Sequence, residues 1–164
     1  MIVLGIDPGT ALVGWGVIDT GKSHRVDQAI CLGYGCIVTD KSLNDSQRLL
    51  IIGNELEQLL AQYKPELVGV EKLFFSKNQK TVMSVSQARG VLLFILEKVG
   101  LPIVEFTPQQ VKQGLTGYGK AEKPQMQKMT QLLLNLKEIP KPDDAADALA
   151  IALTSAQVAV FGQA

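Results

Sequence analysis

Ligands for soft metals are almost missing from this chain of 164 residues, which has two cysteines and a lone histidine, His24. That excludes a structural zinc site built from Cys and His. Cys31 and Cys36 lie five apart on one predicted strand. They are expected to point to opposite faces and to stay reduced. No apolar run approaches the ~20 residues that a bilayer requires. The N-terminus has no basic segment ahead of a long apolar stretch, so no secretory signal is expected and a cytoplasmic location is. There is no repeat, low-complexity tract or linker. Neither charge sign dominates, with 16 basic and 16 acidic residues, so nothing global points to a nucleic-acid partner.

The charge that is there is unevenly spread. Residues 1–71 hold 5 basic and 9 acidic side chains, residues 72–128 hold 9 and 3, and residues 129–164 hold 2 and 4. A basic middle between acidic flanks fits a positive surface beside an acidic pocket; solvated helix faces produce the same pattern. Apolar residues make up 46% and charged ones 20%, an ordinary globular composition. The length suits one domain over 1–164 with one well-filled core.

Ile2, Val3, Leu4 and Ile6 suit a strand buried on both faces over 2–7, and Pro8-Gly9 ends it. GWGVID predicts a second strand over 14–19 and QAICLGYGCIVT a third over 28–39. In the third, Gly33 and Gly35 mark a bulge or a close backbone approach. A helix is predicted from Asn44 or Asp45 to Tyr63, stopped by Lys64-Pro65. LVGVE is a short buried strand over 67–71, and KLFFSKNQK a polar loop with two phenylalanines. A helix over 81–99, a strand over 102–106 and a short helix from Pro108 follow. TGYGK is a loop, and the last helices run over 123–134 and 143–160. Short links make the first three strands antiparallel, and helical crossovers make strands one, four and five parallel. The fold class is therefore α/β: a mixed five-stranded sheet flanked by helices.

An apolar strand that ends on a carboxylate is costly unless the acid is paired. Asp7 either caps its own turn or holds a cation or an activated water. Glu71 ends the parallel neighbour strand, so both acids reach the edge where open α/β sheets bind ligands. Asp143, Asp144 and Asp147 open the last helix, where the macrodipole favours acids. Asp143 is assigned to that capping role. Asp144 and Asp147, spaced i, i+3, share a face, and the alanines around Asp147 let this helix approach a sheet closely. Four carboxylates from three elements cannot all stay ionised in a small space without cations. All-oxygen donors point to Mg²⁺ or Mn²⁺, and paired ions of this kind serve in-line displacement at phosphorus. A metal-dependent phosphodiesterase is the expectation.

The stretches GIDPGT, GWGVI, LGYGCI, VEKLFFSKN, QARGV, VKQGLTGYGKAEK and DDAADALAIALT together resemble the bacterial RuvC Holliday-junction resolvases, in order and over nearly the whole chain. The resemblance implies an RNase H-like fold and a homodimer acting on four-way DNA junctions in recombination and repair. Paired symmetric nicks would leave 5′-phosphate and 3′-hydroxyl ends, with two Mg²⁺ (or Mn²⁺) ions per site. It carries the catalytic and metal-binding roles onto Asp7, Glu71, Asp144 and Asp147. It also implies that Lys112 and Lys123 lie near DNA phosphate and that Phe74 stacks on unpaired bases at the crossover. Lys77, Arg89 and Lys120 join them as candidate DNA contacts, with Lys72, Lys80 and Lys128 behind. RuvA and RuvB are the implied protein partners. A strand, an Asp and a Gly-Thr turn also open ATPases of the actin, Hsp70 and sugar-kinase type. Those clasp a nucleotide between two related domains, whereas this chain has length for one and no second Asp-Gly phosphate loop.

Overall fold

The computed structural model describes residues 1–23, 25–73 and 79–161, with backbone alone at 23, 79–81, 160 and 161. Its strands are β1 (Ile2–Asp7), β2 (Leu12–Asp19), β3 (Ile30–Val38), β4 (Leu67–Glu71) and β5 (Ile103–Phe106). Its helices are α1 (Asp45–Tyr63), α2 (Gln79–Lys98), α3 (Pro108–Thr116), α4 (Lys123–Leu133) and α5 (Asp143–Phe161). The helix ends follow local chemistry. Asn44 and Gln47 form a reciprocal capping box on α1, and Thr107 and Gln110 form another on α3. Each box satisfies N-terminal donors that the helix itself cannot. Pro65 forbids a further turn of α1, and Lys64 turns the chain out in the left-handed region at φ 49°.

The five strands form one sheet in the order β3-β2-β1-β4-β5. The β1–β2 and β2–β3 pairs are antiparallel, and β1–β4 and β4–β5 are parallel. This is the mixed sheet expected from the link lengths, and it agrees with the RNase H-like fold that the family resemblance implies. Alternation along the strands sends residues to two cores. Leu4, Ile6, Val13, Val17, Val68 and Val70 face α1 and α2, while Val3, Ile18 and Leu67 face α5 with α3 and α4 beyond it.

Two expectations need correction. Residues 28 and 29 are not strand, because the chain makes short 3₁₀ turns at Gly21–Ser23 and Val26–Gln28 before β3 begins. The cysteines do not face opposite ways either. Val17 pairs with Gly33 but Ile18 pairs with Cys31, so Leu32 is the extra residue of a bulge. One extra residue inverts the alternation. Cys31 therefore packs into the α5-side core, and Cys36, paired with Gly14, faces the start of α5 as well. Both remain free thiols.

Candidate active site

The site is built on two strands that carry the same short pattern. In β1, Val3, Gly5 and Asp7 face α5; in β4, Leu67, Gly69 and Glu71 do so. Gly5 and Gly69 are direct neighbours across the parallel ladder, so Asp7 and Glu71 follow side by side at its carboxyl end. The glycines allow α5 to lie on the backbone itself. A Cβ at Gly5 would run into the Ala148 carbonyl, at Gly14 into that of Asp144, and at Gly69 into the Ser155 hydroxyl. On the helix, Ala145, Ala148 and Ala152 are fully buried. The Pro142 carbonyl accepts from the amides of Ala145 (3.0 Å) and Ala146 (3.3 Å), which starts α5 so that Asp144 and Asp147 lie over the strand ends.

The result is an acidic cluster short of countercharge. Burial, then the charges of Glu71, Asp147 and Asp144, push Asp7 from 3.8 up to about 8, against a smaller pull from Lys123. Burial and the Asp147 charge push Glu71 from 4.5 up to about 7, with Lys112 opposing. Asp147 is raised too, chiefly by burial. Groups perturbed in this way, by desolvation and specific charges in a cleft, mark functional sites. Among the described residues, no three acids, cysteines or histidines form a ready-made metal shell. The donor chemistry nonetheless fits a hard divalent cation: carboxylate oxygens only, at a site where added positive charge relieves both repulsion and burial.

A cleft of about 200 Å³ opens beside Glu71 and Asp147, lined also by Lys112, Lys123 and Met126 among others. Lys123, at the first position of α4, places its Nζ 3.2 Å from Asp143 Oδ2 and 3.2 Å from Asp147 Oδ2. Asp143 also accepts from Gln127 Nε2 at 2.9 Å and is exposed, which keeps it at the rim. Lys112 and Lys120 share a second hollow of about 480 Å³ with Gln109 and Gly119, and Lys112 and Pro108 line both hollows. Lys128 bonds Gln131 at 2.9 Å on the outer side of α4. Phe74 and Lys77 lie outside the described residues, and of Lys80 only the backbone is described. Arg89 is not in the cleft. It pairs with Glu105 and donates to the Glu71 carbonyl from α2.

The family profile of the crossover junction endodeoxyribonuclease RuvC matches residues 3–155. The chain belongs to the RuvC family. A RuvC from Fusobacterium nucleatum is 52% identical over 94% of this chain and 79% of its own length. One from Brevibacillus brevis is 52% identical over 98% of this chain and 95% of its own. The solved structure of Thermus thermophilus RuvC in complex with a Holliday junction substrate superposes with a TM-score of 0.91 at 36% identity, covering 99% of this chain and 96% of that one.

Two features of this RuvC-family site escape a reading of the sequence. Gly5, Gly14 and Gly69 read as ordinary residues of the predicted strands, and their shared function as the floor under α5 needs the sheet order. Cys36 also borders the acids: burial, then Asp144 and Asp7, push its thiol up to about 11. The bulge at Leu32 brings it there, and no local signal marks that bulge beyond the nearby glycines.

Proposed function

We propose that residues 1–164 form one nuclease domain that resolves four-way DNA junctions by metal-assisted phosphodiester hydrolysis. The observation that carries this reading is the convergence of Asp7, Glu71, Asp144 and Asp147 from three elements into one under-compensated cluster, in a chain of the RuvC family. Asp7, Glu71, Asp144 and Asp147 would hold two Mg²⁺ ions, with Mn²⁺ able to replace them. Bound there, the ions supply positive charge that activates the attacking water and neutralises the leaving 3′ oxygen.

The remaining work belongs to the chain. Lys112 and Lys123 line the cleft from α3 and α4, where each can meet a phosphate oxygen. Lys123 would exchange its Asp143 and Asp147 partners for DNA, releasing Asp147 for the metal. Lys120 extends the positive path along the second hollow. Phe74 and Lys77, which follow Glu71 in sequence, would engage the junction centre, stacking being worth ~1–3 kcal/mol per base. Paired nicks in strands of like polarity call for two sites, hence a homodimer. We assign its surface to α2, a choice supported by the exposure of Met83 (72%) and Phe94 (68%). The family resemblance adds RuvA and RuvB as partners in the cytoplasm. Among the described residues, no helix is long and apolar enough to cross a membrane.

The test is Mg²⁺-dependent cleavage of an end-labelled four-way junction beside a linear duplex of the same sequence. Symmetric paired nicks in the junction alone, with 5′-phosphate and 3′-hydroxyl ends, are expected. Equal cutting of both substrates would replace junction resolution with a general nuclease activity, and an intact junction would leave a binding protein.

A further inference from the structure

We infer that Arg89 is a positioning residue for Glu71, holding the metal-binding acid from behind the sheet through its backbone, and is not a contact for DNA. The inference rests on the nuclease reading above for the role of Glu71. Its geometry is independent of that reading.

β4 ends at Glu71, and residues 72 and 73 belong to no strand. A strand end of this kind is where pairing frays most easily. Here the peptide that joins Glu71 to Lys72 is held at both of its polar ends. Its N–H, on Lys72, donates to the Phe106 carbonyl of β5 at 2.7 Å. Its carbonyl, on Glu71, accepts from Arg89 Nε at 3.3 Å. A second guanidinium nitrogen of Arg89 pairs with Glu105, also on β5. One planar cation therefore ties α2 to the carboxyl ends of two parallel strands. Arg can do this because its fork presents several donors at fixed angles, which a lysine ammonium on a flexible stem cannot reproduce.

The sheet's alternation separates this pair from the cleft. Glu105 lies opposite Val70 in the β4–β5 register, and Val70 faces the α1/α2 core. Arg89 follows Ala88, which is wholly buried in that same core. Glu71 points its carboxylate to the other face, toward α5. The Arg89 side chain is only 19% exposed and already neutralised by Glu105, so it offers little charge to a phosphate. Partners behind a metal ligand that fix its orientation matter nearly as much as the ligand itself.

The experiment compares wild type with Arg89→Ala, Arg89→Lys and Glu105→Gln in three measurements. These are Mn²⁺ binding by electron paramagnetic resonance, metal-free junction binding by fluorescence anisotropy, and junction cleavage against Mn²⁺ concentration. Arg89→Ala is expected to bind Mn²⁺ about tenfold more weakly and to need correspondingly more Mn²⁺ for cleavage, with junction affinity within about twofold of wild type. Arg89→Lys should recover only part of the Mn²⁺ affinity. Glu105→Gln should shift Mn²⁺ binding in the same direction by less, although it removes a negative charge and frees Arg89. Wild-type Mn²⁺ affinity in Arg89→Ala would overturn the inference. So would a loss of junction affinity in that variant without a change in Mn²⁺ binding, since that is the behaviour of a DNA contact. If Arg89→Ala does not fold, the Glu105→Gln and Arg89→Lys titrations decide by the same criterion. A wild-type protein that binds Mn²⁺ but cuts no junction would overturn the nuclease reading alone, and the Mn²⁺ titration would still judge Arg89. No Mn²⁺ binding by wild type would overturn both.

Discussion

The two faces of the sheet are built in opposite ways. Toward α1 and α2 the strands present Leu4, Ile6, Val13, Val17, Val68 and Val70, and the helices answer with Ile52, Leu56, Leu92 and Leu96. Toward α5 the central strands present glycine where the other face has a branched side chain, and the helix answers with alanine. The first face is held by bulk, the second by backbone approach. Close approach is what carries Asp144 and Asp147 onto Asp7 and Glu71. The acids therefore sit where glycine and alanine bring helix and sheet together, while Val3, Ile18 and Leu67 with Leu149, Ile151 and Leu153 fill the rest of the α5 face.

The sharpest break in this comparison is Asp7→Asn. It should abolish junction cleavage while leaving junction binding intact and, above about pH 8, raising the melting temperature of the metal-free protein, because there it removes a buried carboxylate that burial and three neighbouring acids oppose. Loss of binding together with cleavage would show that Asp7 is more than a metal ligand.

Next in size is Gly5→Ala, which adds one methyl where the Ala148 carbonyl lies. Overpacking against backbone on the α5 face should cost about 3 kcal/mol in denaturant melts. An unchanged midpoint would mean that α5 does not rest on the strand backbone.

On the opposite side of the molecule, Phe94→Glu places a charge on the exposed face of α2. Sedimentation should move from dimer to monomer with the monomer fold retained. A variant that stays dimeric would put the interface elsewhere.

The smallest expected effect sharpens the electrostatic half of the comparison. Asp7 and Glu71 have folded values near 8 and 7, above their ordinary 3.8 and 4.5. Between those limits the folded state binds more protons than the unfolded one, so metal-free stability should fall as pH rises from about 4 to 8. Mg²⁺ should offset that loss, raising the melting temperature by a few degrees at pH 8 and by almost nothing at pH 5. An equal Mg²⁺ effect at both pH values would separate the ion from these two acids.

Much of the fold was legible from local signals. Pro8-Gly9, Lys64-Pro65 and Thr107-Pro108 punctuate the chain where the structure turns, and short links against helical crossovers were enough to assign antiparallel and parallel pairs. The four acids were legible as candidates, because each stands at a strand end or helix start where an unpaired carboxylate is conspicuous. What was not legible depends on neighbours distant in sequence. Arg89 reads as one more cation of a basic stretch until Glu105 and the Glu71 carbonyl are seen beside it. Cys31 and Cys36 read as facing apart until the bulge at Leu32 is counted.

By itself, then, the sequence determined the order and type of the elements, the strand directions and the acids at their ends, because these follow from side-chain period, backbone restriction and link length within short windows. Only the tertiary structure decided that Gly5 lies beside Gly69 under α5, that one inserted residue turns Cys36 toward the acids, and that Arg89 stands behind Glu71. Each of these is a matter of register between strands or of the face a helix lays on a sheet. Both are set by packing the whole core at once.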